Sequence, residues 1–113
     1  MKNYLLLIKG SFEAWNKLSE SHRKETVAQF GKFAQELGEL GYMRGGDGCI
    51  ERSFRFMASD APSSQCLVPP ATQDMVTGYF LLEVPSEEEA IMMARKCPAF
   101  NCGEYVELIP CSG

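Results

Sequence analysis

Val76-Thr77-Gly78-Tyr79-Phe80-Leu81-Leu82-Glu83-Val84 runs directly into Pro85-Ser86-Glu87-Glu88-Glu89. The first run is dense in aliphatic and aromatic residues, as a buried strand is. Pro85 has no N–H to give a sheet ladder and ends it. Ser86 and Glu89 have the spacing of a capping box, a hydroxyl for an orphan N–H and a carboxylate to reach back. Glu87, Glu88 and Glu89 also lie at the positive end of the helix dipole. Ala90, Met93, Ala94 and Cys97 then fall on one helical face, with Ile91 beside it. Pro98 pushes the residue before it out of the α region, so the helix ends at Cys97. Residues 103–109 form a closing strand. Residues 76–109 therefore read strand, helix, strand.

The other half repeats the pattern. Residues 3–9 are a strand with Tyr4, Leu6 and Ile8 on one face and Leu5 and Leu7 on the other. Both faces are apolar, so both need a cover. Gly10 breaks the run, and residues 11–18, with the only tryptophan, Trp15, read as a loop or short turn. Ser19 is an N-cap, and a helix continues to Leu40. Val27, Phe30, Phe33, Ala34, Leu37 and Leu40 form its apolar stripe. Gly41 suits the left-handed residue that closes such a helix. Gly31 and Gly38 each cost up to about 1 kcal/mol against alanine, which points to close packing onto the sheet.

Residues 42–49 are glycine-dense and read as a bend or bulge between strands. They are not a phosphate loop: the G-x-x-x-x-G-K-[ST] pattern is absent. Residues 50–57 alternate as a half-exposed strand. Residues 58–64 are turn chemistry, and Gln65-Cys66-Leu67-Val68 is a short strand stopped by Pro69-Pro70.

The order is β-α-β-hairpin-β-α-β in a single domain, residues 1–113. This is the α+β class: a ferredoxin-like βαββαβ plan with an antiparallel sheet and two helices on one face. Two helices cover one face only. The uncovered face is apolar, and monomers rarely tolerate a large exposed apolar patch. A homodimer packed through the helix-free sheet face is the expected partner arrangement.

The totals narrow the function classes. The net charge is −4, and the basic residues are scattered, which argues against nucleic acid as a partner. The opening apolar run, Tyr4 to Ile8, is too short for a signal-peptide core or a membrane span, so a cytoplasmic protein with no membrane contact is expected. Cys49, Cys66, Cys97, Cys102 and Cys111 include no C-x-x-C pair, and a single histidine leaves little for a zinc site. Cys97 and Cys102 are near enough in sequence for a disulfide or metal pair, but a reducing compartment argues for free thiols. No metal site and no cofactor is expected. Met92 and Met93 read as gap-filling core residues.

The chain resembles the YCII-related proteins, in the branch named for a DGPF motif. The carriers are Tyr4-Leu5-Leu6-Leu7-Ile8 with Gly10 and Trp15, Leu18-Ser19-Glu20, Gly45-Gly46-Asp47-Gly48, Thr77 to Val84, Glu89-Ala90 with Ala94-Arg95-Lys96-Cys97-Pro98, and Gly103 with Val106-Glu107-Leu108-Ile109-Pro110. The resemblance covers nearly the whole chain and implies a dimeric α+β barrel. The naming motif is not matched: Cys66-Leu67-Val68-Pro69 stands in its place, and of the run that follows it only Thr72 and the acidic Asp74 correspond. No role of the missing residues transfers. The wider superfamily includes small-molecule lyases, dehalogenating enzymes and cofactor-independent monooxygenases, a breadth that leaves function open.

In such a dimer the cleft is expected between the helix-free sheet face and nearby loops. Asp47, in the glycine bend, is the candidate general base. Arg44 or Arg55 would hold an anionic or enolate oxygen. Trp15 and Asp74 complete the candidate ligand site, with His22 beside them. Each has a plainer reading: Asp47 as a turn residue bonding its own backbone, Arg55 on a solvated strand face, His22 exposed in a first helical turn, Trp15 as a lid on the core. Three classes stay open. They are a cofactor-independent lyase or isomerase acting on a small anionic or phenolic metabolite, a binding protein without chemistry, and an interaction module that has lost the site. A cleft filled by Phe54, Phe56 or Tyr79 would mark the third.

Overall fold

The computed structural model describes residues 1–49 and 52–112. Strand β1 (Lys2–Gly10) leads into a short helix α1 (Phe12–Lys17) and a long helix α2 (Glu20–Glu39). Strand β2 (Met43–Gly48) follows, then the two-residue strands β3 (Ser53–Phe54) and β4 (Leu67–Val68). Strand β5 (Met75–Val84), helix α3 (Glu87–Arg95), a 3₁₀ turn (Pro98–Cys102) and strand β6 (Tyr105–Cys111) complete the chain.

The main sheet has the order β2-β5-β1-β6, every neighbouring pair antiparallel. The α+β class and the split βαβ plan read from the sequence are both present. β1 and β5 occupy the centre because their two faces carry the densest apolar runs. Tyr4, Leu6 and Ile8 of β1 and Phe80, Leu82 and Val84 of β5 point to one side, where Phe33 and Leu37 of α2 and Ala90, Met93 and Ala94 of α3 close over them. Phe33 meets Phe80 edge-to-face, with ring centroids 5.4 Å apart and planes at 82°. Such a pair adds about 0.5–1.5 kcal/mol beyond the area it buries. On the opposite face Leu5, Leu7 and Tyr79 are half-buried, and Leu81 and Ile109 are 41% and 39% exposed.

The caps follow the sequence closely. Ser19 Oγ accepts from the His22 N–H and Ser86 Oγ from the Glu89 N–H. Gly41 is left-handed at φ 73°, as a helix-closing glycine should be. The second half of the capping box is not made, because the Glu89 carboxylate instead accepts from the Tyr42 hydroxyl at 3.1 Å. That bond ties α3 to the turn after α2.

Several expectations are corrected. Residues 11–18 are not a loop: α1 forms there, with Ser11 Oγ accepting from the Ala14 N–H. The α2 stripe is rotated, so Thr26 is buried while Val27 and Leu40 are exposed. Thr26 is accommodated because its hydroxyl donates to the His22 carbonyl one turn back. Gly31 and Gly38 are not close-packing sites, since a Cβ at either would meet no atom within 4 Å. The glycine-dense stretch is strand β2 itself, with an irregularity at Arg44. The strand expected over residues 50–57 reduces to β3, paired only with β4; Ile50 and Glu51 lie outside the described residues. Met92 is exposed, whereas Met93 is fully buried. All five cysteines are free thiols. No helix among the described residues is long and apolar enough to cross a membrane.

Candidate functional site

A cavity of about 520 Å³ opens between α2 and the sheet, on the helix-bearing face rather than the helix-free one. Missing side chains contribute to it on both walls. A Cβ at Gly31 on α2 or at Gly48 on β2 would meet no atom within 4 Å, while Gly46 and Gly78 line it where Phe80 and Ile8 already pack against the backbone. The remaining wall is mostly apolar, with aliphatic side chains beside four aromatic rings: Phe12 and Trp15 from α1, Phe30 from α2 and Phe80 from β5. The small helix α1, absent from the sequence reading, is what brings Phe12 and Trp15 to the rim. Its start is pinned from both sides of the chain, with the Ser11 hydroxyl and the Glu13 N–H both donating to the Pro70 carbonyl.

The polar groups are few. Asp47, Cys49, Thr77 and Glu104 line the cavity, and among the described residues no lysine, arginine or histidine does. Thr77 is turned there by a β-bulge. Ile8 pairs with Gly78 and Lys9 with Val76, so Thr77 is the extra residue on β5. Its hydroxyl donates to Glu104 Oε2. Glu104 Oε1 accepts from the Cys102 thiol at 3.1 Å. Burial, and then that hydrogen bond, push the Cys102 thiol up to about 12, so it stays protonated and donating. Glu104 shares the parity of Val106 and Leu108, both packed against the core. A charged residue on an apolar row was the sequence signal for it.

The candidate residues separate. Trp15 is half-buried and Asp47 exposed, and both line the cavity. Asp47 stands opposite Tyr79 in the β2–β5 register, and its carboxylate accepts from the Gly48 N–H at 2.9 Å, as a turn-like residue does. Tyr79 faces the helix-free side, so Asp47 borders the cavity from the edge strand β2 and not from the core face. The Cys49 thiol beside it is raised above its ordinary value by burial and then by Asp47. Arg44 does not line the cavity. It is the extra residue of the β2 irregularity and makes a two-bond pair with Glu83, at 3.1 and 2.8 Å. That guanidinium lowers the Glu83 carboxyl below its usual range. Asp74 accepts from the Tyr105 hydroxyl at 2.5 Å, which is the first cause of a tyrosine pushed up to about 12. Arg55 is exposed beyond β3, its N–H bonded to the Cys66 carbonyl. His22 Nε2 contacts the Asn101 carbonyl at 2.7 Å and fastens α2 to the 3₁₀ turn. Phe54 and Phe56 are exposed on the outlying hairpin, so neither they nor Tyr79 fills the cavity. No group of three or more potential metal ligands occurs among the described residues.

No family model matches the chain, and no curated protein matches its sequence. Among solved structures, the chain is similar to 5-chloro-2-hydroxyhydroquinone dehydrochlorinase from Burkholderia phenoliruptrix AC1100, determined in complex with 2,5-dihydroxybenzoquinone. The match has 16% identity and a TM-score of 0.44, and covers 91% of this chain and 90% of that one. Neither identity nor superposition is close enough to carry a residue role across.

Proposed function

We propose that the chain binds a small, uncharged hydroxylated aromatic molecule in the cavity under α2. The observation that carries this reading is the wall composition: four aromatic rings, two carboxylate residues and, among the described residues, no cationic side chain. Pockets of roughly 300–1,000 Å³ with apolar walls and a few polar groups suit single-ring ligands. An anionic ligand would face Asp47 and Glu104 with nothing to neutralise it, so the phenolic half of the sequence expectation is favoured over the anionic half. Trp15 is assigned as a stacking wall. Asp47, among the lining residues and on the edge strand β2, is assigned as the rim acceptor for a ring hydroxyl. The catalytic extension of the reading is a cofactor-independent lyase or isomerase in which Asp47 takes that hydroxyl proton. We further infer a distant relation to the YCII-related proteins and a homodimer formed through Leu5, Leu7, Tyr79 and Leu81, an apolar row with the Lys9–Glu107 and Arg44–Glu83 pairs beside it.

The test is a thermal-shift series with phenol, resorcinol and benzoate on the parent and on Asp47→Ala. A ligand at a hundred times its dissociation constant stabilises by about 2.7 kcal/mol. Resorcinol is expected to raise the melting temperature of the parent, and to raise that of Asp47→Ala less. Benzoate alone giving a shift, or none of the three, refutes the reading. The dimer is checked by mass in solution at micromolar concentration: twice 12.6 kDa is expected, and monomer alone refutes it.

A further inference from the structure

Glu104 is built into the cavity wall with unusual care. Thr77 donates to one carboxylate oxygen and Cys102 to the other. Thr77 reaches it only because the bulge in β5 turns that hydroxyl out of the regular alternation. Gly10, next door on β1, leaves the room: a Cβ there would lie 2.8 Å from both Cγ and Oε2 of Glu104. Three separate features therefore fix one side chain in one place. A carboxylate has about four lone-pair positions, and two donors leave about two of them open. Bonds to an ionised acceptor are the stronger kind, and a fixed acceptor loses little entropy on making one.

We infer that Glu104 selects the ligand. Its carboxylate accepts a hydrogen bond from a donor carried on the ring of the bound molecule, a hydroxyl or an amino group, and repels ring carboxylates. The inference rests on the cavity being the binding site, as proposed above. It also gives a reason for the bulge at Thr77, the thiol at Cys102 and the glycine at position 10, which the fold alone does not require.

The test is calorimetric titration of the full chain and of Glu104→Gln with resorcinol, 1,3-dimethoxybenzene and benzoate. The two neutral rings have the same substitution pattern and differ in their donors. Resorcinol is expected to bind the parent about tenfold or more tighter than the dimethoxy ring, the scale of one hydrogen bond to a charged group. Glu104→Gln should remove most of that preference by weakening resorcinol far more than dimethoxybenzene, and should strengthen benzoate. A merely structural Glu104 would weaken both neutral rings together. Thr77→Val, which keeps the carboxylate but removes one tether, should reduce the preference in the same direction, and decides the matter if the glutamine variant does not fold. Preference for resorcinol unchanged by these variants overturns the role of Glu104 and leaves the binding reading standing. No binding of either neutral ring to the parent overturns both.

Discussion

Replacing Gly46 with alanine adds a methyl where β2 has no space for one. The new Cβ would lie 2.8 Å from Phe80 Cδ1 and 2.8 Å from the Tyr79 carbonyl oxygen. The ring can swing into the cavity, but the carbonyl belongs to β5, the strand β2 is paired with, and cannot move without opening the ladder. Overpacking of this kind costs about 1–3 kcal/mol. At about 2.1 cal/mol/K per residue of unfolding entropy, a chain of 113 residues loses about 4 °C in melting temperature per kcal/mol. Gly46→Ala should therefore melt about 4–12 °C below the parent. Gly38→Ala supplies the opposite sign. It sits in α2 with nothing within 4 Å of its Cβ, so alanine gains about 0.5–1 kcal/mol of helix propensity, or about 2–4 °C. Differential scanning calorimetry on both variants checks the pair. A Gly46→Ala protein melting within 1 °C of the parent would refute the argument that a backbone oxygen, and not a movable ring, limits that position.

Three further outcomes are expected. Gly31→Leu should fill the mouth of the cavity and abolish aromatic-ligand shifts while leaving the melting temperature unchanged or raised, because the position is open and leucine is the better helix former. Ser86→Ala should cost about 1 kcal/mol in denaturant unfolding, the worth of one N-cap hydroxyl. Buried Cys97 and Cys102 are held at about 11 and about 12, above the ordinary value of 9.0, so the unfolded chain gives up these protons first. Their contribution to stability is full below pH 9 and is lost as pH rises from there through 11 and 12, which chemical unfolding across that range should show.

The parts legible in the sequence were those where one residue type has one physical meaning. Pro85 ends β5, Ser19 and Ser86 cap helices, Gly41 takes a positive φ, and the even residues of β1 go inside. The site was less legible because it depends on which apolar residues fail to meet a partner. Phe30 and Ala34 read as core, and both do pack against it, yet both also border empty space that lies between α2 and the facing strands. A helical stripe does not reveal a gap opposite it. Helix α1 was missed because six residues leave too short a window for a periodic pattern. Arg44 and Asp74 drew attention as charges with chemical potential, but Glu83 and Tyr105 answer them locally, and those partners are distant in sequence.

The Pro70 carbonyl receives hydrogen bonds from Ser11 and Glu13, and so joins the end of the β3–β4 excursion to the helix that holds Phe12 and Trp15. The excursion is thereby divided into two zones of different tolerance. Around residues 57–64 the chain is exposed and touches little, so insertions there lengthen a tip and nothing more. At Pro69 and Pro70 a shift of one residue would unseat α1 and reshape the cavity rim. Length variation within residues 57–64 leaves the β3–β4 pairing in register, whereas at Pro69 and Pro70 it is felt by whatever the cavity holds.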